Sequence, residues 1–240
     1  MSNYPYQPQQ QQPAWISASA TDETRVQSFI RSVYAWMFGG LAITTAAAVW
    51  VLFSPALQAI VLQNRLVFYG LLIAEFALAM WVQARITHMS AGTAASAFLV
   101  YSLLNGLTLS VIFFVYTQAA IFQAFLSAAL MFAGMSVYGY VTKRSLTSMG
   151  SFLIMGAWGL FIGFAVNIFL KSDRLSYVLS AIGVFVFLGL TAYFTQKLKT
   201  MAVSPEYREH YSILGALWLY ITFINLFLML LRLFGGGNRR

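Results

Sequence analysis

Glu75 is the residue of this chain whose type and position point most directly to chemistry. It lies in the middle of an apolar stretch, Leu66 to Ala84, in which it is the only charged residue. An acid at the centre of a membrane-spanning helix costs roughly 2.5–3.5 kcal/mol on insertion scales, and such residues mark ion or proton paths. Glu75 is therefore a candidate ion-path or proton-sensing residue. The structural alternative is a protonated side chain that makes one hydrogen bond between helices.

Uncharged polar side chains within other apolar stretches are candidates for hydrogen bonds between helices. The amides among them are Asn105, Asn167 and Asn225. In bilayers such bonds contribute roughly 0.6–2 kcal/mol each. Helix packing is therefore the favoured role for each of these amides, and transport is the alternative.

The residue types that enzymes and metal sites need are scarce. The chain has no cysteine and two histidines, and it contains no His-Glu-x-x-His sequence or glycine-rich phosphate loop. The predicted membrane spans contain no aspartate, and neither His88 nor His210 falls at the depth at which it could activate Ser136. Thiolate chemistry is excluded and a zinc site is disfavoured. We expect no catalytic residues, no bound metal and no cofactor.

The composition indicates a membrane protein. Of the 240 residues, 60% are hydrophobic and 8% are charged, whereas soluble domains have about 25% charged residues. In a bilayer the backbone must satisfy its own hydrogen bonds, which leaves helices or closed barrels. The long unbroken apolar runs match helices and lack the alternation of barrel strands. The net charge of +8 is scattered over loops and ends, so we expect contact with the lipid bilayer and no nucleic acid.

Breaks in the apolar runs predict seven spanning helices and an all-α membrane fold. A span needs about 20 apolar residues, and all five prolines fall outside the predicted spans. The predicted domains are a disordered Gln/Pro-rich tail over residues 1–24, a transmembrane domain over residues 25–234 and a short basic tail over residues 235–240. The predicted spans are Val33–Phe53, Leu66–Ala84, 95–115, 119–141, Ser151–Leu170, Leu175–Thr195 and Ser212–Phe234.

The distribution of basic residues predicts the orientation in the membrane. The side that holds the N-terminal tail and the loops after spans two, four and six carries eight Lys and Arg residues, and the other side carries six. Cytoplasmic loops are enriched in these residues. We therefore expect a cytoplasmic N terminus.

Two stretches near the C terminus resemble the bacterial branch of the Bax inhibitor-1 family. The last span contains Leu219-Tyr220-Ile221-Thr222-Phe223-Ile224-Asn225-Leu226-Phe227, where the family reads Leu-Tyr-Leu-Asp-Phe-Ile-Asn-Leu-Phe. The span before it ends in Gly189-Leu190-Thr191-Ala192-Tyr193-Phe194-Thr195-Gln196-Lys197, where the family reads Tyr-Asp-Thr-Gln in the middle. Weaker matches are Val33 to Met37 and Tyr138 to Arg144.

The resemblance implies seven helices, arranged as two three-helix groups around a central C-terminal helix, and a calcium leak that responds to pH. In the family an aspartate pair on the last two helices is thought to gate the path by its protonation. Those positions are Phe194 and Thr222 in this chain, and neither side chain binds a proton or holds calcium as a carboxylate does. We therefore expect no pH gating by this pair, and a hydrophobic plug where Phe194 meets Thr222. Glu75 matches an acid that some family members carry on the second helix.

These features leave two functions open for a protein of the bacterial inner membrane. The first is a cation leak or channel, chiefly for calcium, that lacks the usual aspartate pair. The second is a non-conducting regulatory or interaction protein linked to stress response or to membrane protein quality control, with a membrane-bound protease as its partner. A disordered N-terminal tail would suit capture by such a protease, because a disordered end is easily engaged.

Overall fold

The computed structural model of the chain describes residues 14–85, 88–204 and 211–236. Within these ranges, seven helices are long and apolar enough to cross a membrane. The predicted all-α membrane fold with seven spans is therefore confirmed, and the chain is a multi-pass membrane protein. The helices are α1 (Ala14–Phe53), α2 (Pro55–Gln58), α3 (Arg65–Arg85), α4 (Ala91–Leu109), α5 (Ile112–Val115), α6 (Gln118–Val141), α7 (Thr147–Leu170), α8 (Asp173–Ala202) and α9 (Tyr211–Gly235).

Of the two short helices, α2 lies in the connection between two spans and α5 belongs to a span. Helix α2 continues into a π-helical turn, Ala59–Gln63, before α3 begins. Helix α5 extends α4, so that the third span runs over Ala91–Val115.

Two helices run further than the sequence predicts. Helix α1 begins at Ala14, so residues 14–24 are helical where a disordered tail is expected; residues 1–13 and 237–240 lie outside the described ranges. Helix α8 continues seven residues beyond the predicted end at Thr195, to Ala202. Its last two turns carry Lys197 and Lys199, and Leu198 and Ala202 in the same two turns are fully buried. This buried stripe keeps a charged segment helical, because a helix can bury one face and solvate the other.

Hydroxyl side chains cap the N termini of four helices, at breaks between the apolar runs. Ser90 Oγ accepts from the backbone N–H of Thr93 at 3.1 Å, and Ser172 Oγ accepts from that of Leu175 at 3.2 Å. Ser54 and Thr117 cap α2 and α6 in the same way. Such caps satisfy N–H groups that the helix itself leaves unpaired.

Helix α9 is the most enclosed span. Of its most apolar window, 78% is buried, against 11% for that of α7. It contacts α1, α3, α4, α6 and α8. The other main contacts pair α4 with α1 and α3, and α8 with α6 and α7. The large side chains that remain exposed, such as Phe169 and Leu66, lie on faces suited to lipid.

Glycines allow the closest helix approaches. A side chain at Gly106 of α4 would collide with the backbone carbonyl of Thr44 on α1, and one at Gly139 of α6 would collide with that of Ala192 on α8. Close backbone approach is the usual basis of helix packing in lipid, where burial of apolar surface gives little drive. Gly106 therefore fixes the distance between the two helices that carry most of the polar network described next.

Candidate functional site

Glu75 lies at the midpoint of α3, ten residues from each end. At 1.5 Å per residue this is about 15 Å from either end of the helix. Most of α3 is exposed, but Glu75, Ala79 and Val82 are buried. Because residues spaced by three and four share a helix face, these three form the stripe that packs against α4. Glu75 itself is 7% exposed.

Two side chains of α4 hold the carboxylate of Glu75. Asn105 donates its Nδ2 hydrogen to Oε2 at 3.0 Å, and Thr108 donates its hydroxyl to Oε1 at 2.7 Å. Asn105 and Thr108 are three residues apart and so lie on one face of α4. Each carboxylate oxygen therefore has its own donor, although the group sits at mid-membrane depth.

The network continues from Asn105 to α9 and α1. The hydroxyl of Tyr220 donates to Asn105 Oδ1 at 2.9 Å and also contacts the hydroxyl of Thr44. Thr44 in turn lies 2.9 Å from the carbonyls of Gly40 and Ser102. A single chain of polar contacts thus links α3, α4, α9 and α1.

Aromatic rings enclose the hydroxyl that joins these helices. Tyr220 is fully buried, and the rings of Phe98 and Tyr101 meet its ring edge-on with centroids 5.7 Å away. Since a buried phenol needs a partner for its hydroxyl, this packing directs the Tyr220 hydroxyl at Asn105 and Thr44.

The hydroxyl of Thr108 gives the site two hydrogen-bond patterns. Its oxygen lies 2.7 Å from Glu75 Oε1 and 3.0 Å from the carbonyl of Asn105, and a hydroxyl has one hydrogen to donate. With Glu75 ionised, that hydrogen points at the carboxylate. With Glu75 protonated, the carboxyl can donate to Thr108 while Thr108 donates to the carbonyl. The site can therefore take up or release a proton without leaving a polar group unpaired.

A second cluster lies at the two positions where the resemblance to the family implies an aspartate pair. The ring of Phe194 stacks on that of Trp218, with centroids 5.3 Å apart and planes at 22°. Thr222, 2% exposed, donates its hydroxyl to the carbonyl of Trp218 at 2.8 Å. Trp218 thus touches both positions, and the expected plug between Phe194 and Thr222 themselves stays a prediction.

A cation completes this second cluster. The ammonium of Lys197 lies 4.4 Å from the centroid of the Trp218 ring and 5.8 Å from that of Tyr193. Both distances fall within the range of cation–π attraction. We call Tyr193, Phe194, Lys197 and Trp218 the aromatic–lysine cluster.

The three amides singled out in the sequence have different surroundings. Asn105 links Glu75 to Tyr220, on two other helices. Asn225 donates its Nδ2 hydrogen to the carbonyl of Ile221 within α9, at 2.8 Å. The side-chain oxygen of Asn167 accepts from the backbone N–H of Ser172, at the turn between α7 and α8. For Asn225 and Asn167 the hydrogen bonds are thus local, within one helix or one turn, where bonds between helices are expected.

We call Glu75 and the side chains of its polar network the acid site. The sequence did not point to two of its members, Thr44 and Tyr220, or to Trp218 of the aromatic–lysine cluster. Thr44 and Tyr220 were hidden because a single hydroxyl in an apolar run has little effect on hydropathy. The available signal for Tyr220 was its phenol in the middle of the last span. Trp218 could have been flagged by its position one turn before Thr222. Among the described residues no three His, Asp or Glu side chains come together, and Glu75 is the one acid of the sequence between Glu23 and Asp173.

Comparison with known proteins identifies relatives over almost the whole chain. The family model described as "Inhibitor of apoptosis-promoting Bax1" matches residues 26–239. The "Inner membrane protein YbhL" of Escherichia coli strain K12 is 47% identical over 220 residues, which are 90% of this chain and 93% of the relative. An uncharacterized protein of Deinococcus radiodurans is 40% identical over 233 residues, 96% of this chain and 97% of the relative. The chain belongs to the Bax inhibitor family.

Proposed function

We propose that this protein is a cation leak of the bacterial inner membrane, for calcium or another cation, and that Glu75 is the acid which the cation or a competing proton meets. The observation that supports this most is the buried carboxylate at the midpoint of α3, held by donors from α4. The location follows the name of the relative from E. coli, an inner membrane protein. We expect the N terminus of this protein to be cytoplasmic, because the side that holds it carries the larger number of basic residues.

The chemistry of the acid site suits reversible exchange of a proton or cation. Intramembrane acids are rare because they oppose insertion, and those that occur commonly mark ion or proton paths. Here the second hydrogen-bond pattern of Thr108 provides a partner for each protonation state of Glu75. A change of state at Glu75 also reaches α9 through Asn105 and Tyr220.

The residues at positions 194 and 222 exclude one way in which pH could control such a leak. Phe194 and Thr222 supply no carboxylate, so a pair of acids sharing a proton cannot gate the path here. Lys197 instead adds a positive charge close to these positions. We therefore expect a weak leak whose pH response depends on Glu75.

One observation favours a second function, that of a non-conducting regulatory or interaction protein. Both oxygens of Glu75 already have donors, and stacked rings occupy the region where relatives are expected to have acids. A protein sealed in this way would act through partners, for example a membrane-bound protease that engages the N-terminal tail.

The first experiment is a calcium-flux assay on the purified protein in liposomes, from mildly acid to mildly alkaline pH. The variants are Glu75→Gln, which keeps the shape of the side chain, and Glu23→Gln, which removes an exposed acid near the start of α1. Wild type and Glu23→Gln should conduct above empty liposomes, and Glu75→Gln should lower the flux and flatten its pH profile. Unchanged flux in Glu75→Gln would remove Glu75 from the path.

Absence of flux at every pH, from protein shown to be folded, would favour the second function. That function is tested by deleting residues 2–20 and measuring the half-life of the protein in cells. A longer half-life without change in flux supports capture of the tail by a protease, and an unchanged half-life contradicts it.

A further inference from the structure

A turn at one end of the bundle collects exposed basic side chains. Lys143 and Arg144 lie in the connection between α6 and α7, and Lys199 lies in the last turn of α8; all three are exposed. No acidic residue occurs in the chain between Glu75 and Asp173. The acids nearest in sequence to Lys199, Glu206 and Glu209, lie outside the described residues. We call the connection between α6 and α7, together with Lys199, the basic turn; it carries three positive charges.

Hydrogen bonds from Gln196 of α8 hold the basic turn in place. Its Oε1 accepts from the backbone N–H of Leu146 at 2.8 Å, and its Nε2 donates to the carbonyl of Arg144 at 2.9 Å. Leu146, which is 3% exposed, anchors the turn in the core. One glutamine thus bonds to the backbone on both sides of Ser145, which makes the turn a preformed element.

The side chain of Lys199 is fixed at the end of α6, beside the connection between α6 and α7. Its ammonium donates to the carbonyl of Tyr140, in the last turn of α6, at 3.1 Å, and lies 5.0 Å from the centroid of the Tyr140 ring. An ammonium has three hydrogens, so two remain for a further acceptor. Lys199 is therefore held at Tyr140, which precedes Lys143 and Arg144 by three and four residues in the chain.

The surface next to the basic turn is apolar. Val137, Tyr138 and Val141 of α6 are 62%, 46% and 62% exposed, and they lie in the last turn and a half before α6 ends at Val141. In a membrane-spanning helix these side chains face acyl chains, and the end of the helix reaches the headgroup region. A positive cluster directly beyond an apolar stripe matches the two parts of an anionic phospholipid.

We propose that the basic turn is a binding site for an anionic phospholipid. Its headgroup phosphate is bound by Lys143, Arg144 and Lys199, and its acyl chains follow the exposed stripe at the end of α6. Basic clusters between transmembrane helices on the cytoplasmic side bind such headgroups. The site is independent of the proposed leak and would be present in a non-conducting protein as well.

The test measures thermal unfolding of the full chain in neutral detergent micelles, with added phosphatidylglycerol or phosphatidylcholine. Phosphatidylglycerol should raise the Tm of wild type, and phosphatidylcholine should not. The variant K143Q/R144Q/K199Q should need an at least tenfold higher concentration of phosphatidylglycerol for the same shift, since each basic residue near an anionic surface contributes about a fivefold factor.

The matched control is R65Q/K171Q/R174Q, which removes three exposed basic residues from the opposite end of the bundle. It should respond to phosphatidylglycerol as wild type does. An equal loss of response in both triple variants would mean that overall charge alone attracts the lipid, and it would overturn the site.

Two further arms separate a built site from simple charge, and lipid from phosphate. Gln196→Leu keeps every charge but frees the turn, so it should weaken the response to phosphatidylglycerol; an unchanged response would overturn the role of the preformed turn. Inorganic phosphate should leave the Tm unchanged. Stabilisation by phosphate equal to that by phosphatidylglycerol would show an anion site that does not recognise lipid, and would overturn the proposal.

Discussion

The two faces of α9 handle polar groups in opposite ways. On one face Tyr220 donates to Asn105 and so joins the network that ends at Glu75. On the other face Thr222 donates to the carbonyl of Trp218 within its own helix, and Trp218 stacks on Phe194. The first face makes hydrogen bonds between helices around an acid. On the second face, stacked aromatic rings form the contact between α8 and α9.

The two faces of α9 differ in how strongly a change of protonation would affect the packing of the helices. A hydrogen bond to the same helix survives a shift of that helix, whereas a bond between helices does not. Proton uptake or a cation at Glu75 would therefore be felt by α4, α9 and α1, and the aromatic–lysine cluster would transmit little. Four substitutions test this difference.

Asn105→Leu should have the largest effect on stability. It leaves Glu75 Oε2 without its donor and Tyr220 with only the hydroxyl of Thr44 as a partner, and a buried polar group without a partner costs about 1–3 kcal/mol. Unfolding in mixed detergent micelles measures the free energy. The matched control is Asn225→Leu, because that amide bonds within α9. Equal losses in the two variants would contradict the distinction between the two faces.

Tyr220→Phe should have an intermediate effect. The ring stays against Phe98 and Tyr101. The loss of the hydroxyl removes the hydrogen bond to Asn105 and the contact with Thr44, and a buried hydrogen bond contributes about 0.5–1.5 kcal/mol. A double-mutant cycle with Asn105→Ala isolates the interaction between the two side chains. Additive losses would show that Tyr220 and Asn105 are not coupled, and would break the link between α9 and the acid site.

Lys197→Met should destabilise the protein by about 0.5–1 kcal/mol, the usual contribution of a cation–π contact near a surface. The aliphatic stem is kept and the ammonium over Trp218 is lost. Lys197→Arg keeps a cation at the same place and serves as the control. If both variants unfold as wild type does, the positive charge contributes nothing to the aromatic–lysine cluster.

Thr222→Val should have the smallest effect, about 0.5 kcal/mol or less, because its hydroxyl bonds to its own helix and polar contacts in bilayers average about 0.6 kcal/mol. Valine also keeps the shape of the side chain. The same unfolding assay applies. A loss as large as that of Asn105→Leu would mean that Thr222 takes part in a bond between helices.

Much of the fold could be predicted from the sequence. The rarity of charge located the seven spans. The ends were less predictable: α1 begins earlier and α8 ends later than the apolar runs do. Hydropathy detects the part of a helix that lies in lipid, and helices continue beyond it wherever one face can still be buried.

The candidate site was predictable only in part. Glu75 could be identified because an isolated acid in an apolar stretch has a large transfer free energy. Its partners could not, because Asn105, Asn167 and Asn225 look alike in the sequence, yet only Asn105 points at the acid. The resemblance to the family indicated the positions of Phe194 and Thr222, but it gave no sign that Trp218 would touch both.

The sequence by itself determined that the chain is a helical membrane protein with one acid at mid-membrane depth, because transfer into lipid depends on composition and span length. The tertiary structure decided that this acid is joined to α9 and α1. Tyr220 and Asn105 are 115 residues apart, and they meet because α4 packs against α9. Gly106 lets α4 approach α1 closely, where Thr44 contacts Tyr220. Helix rotation and distance follow from packing among all the helices, and no single stretch of sequence contains them.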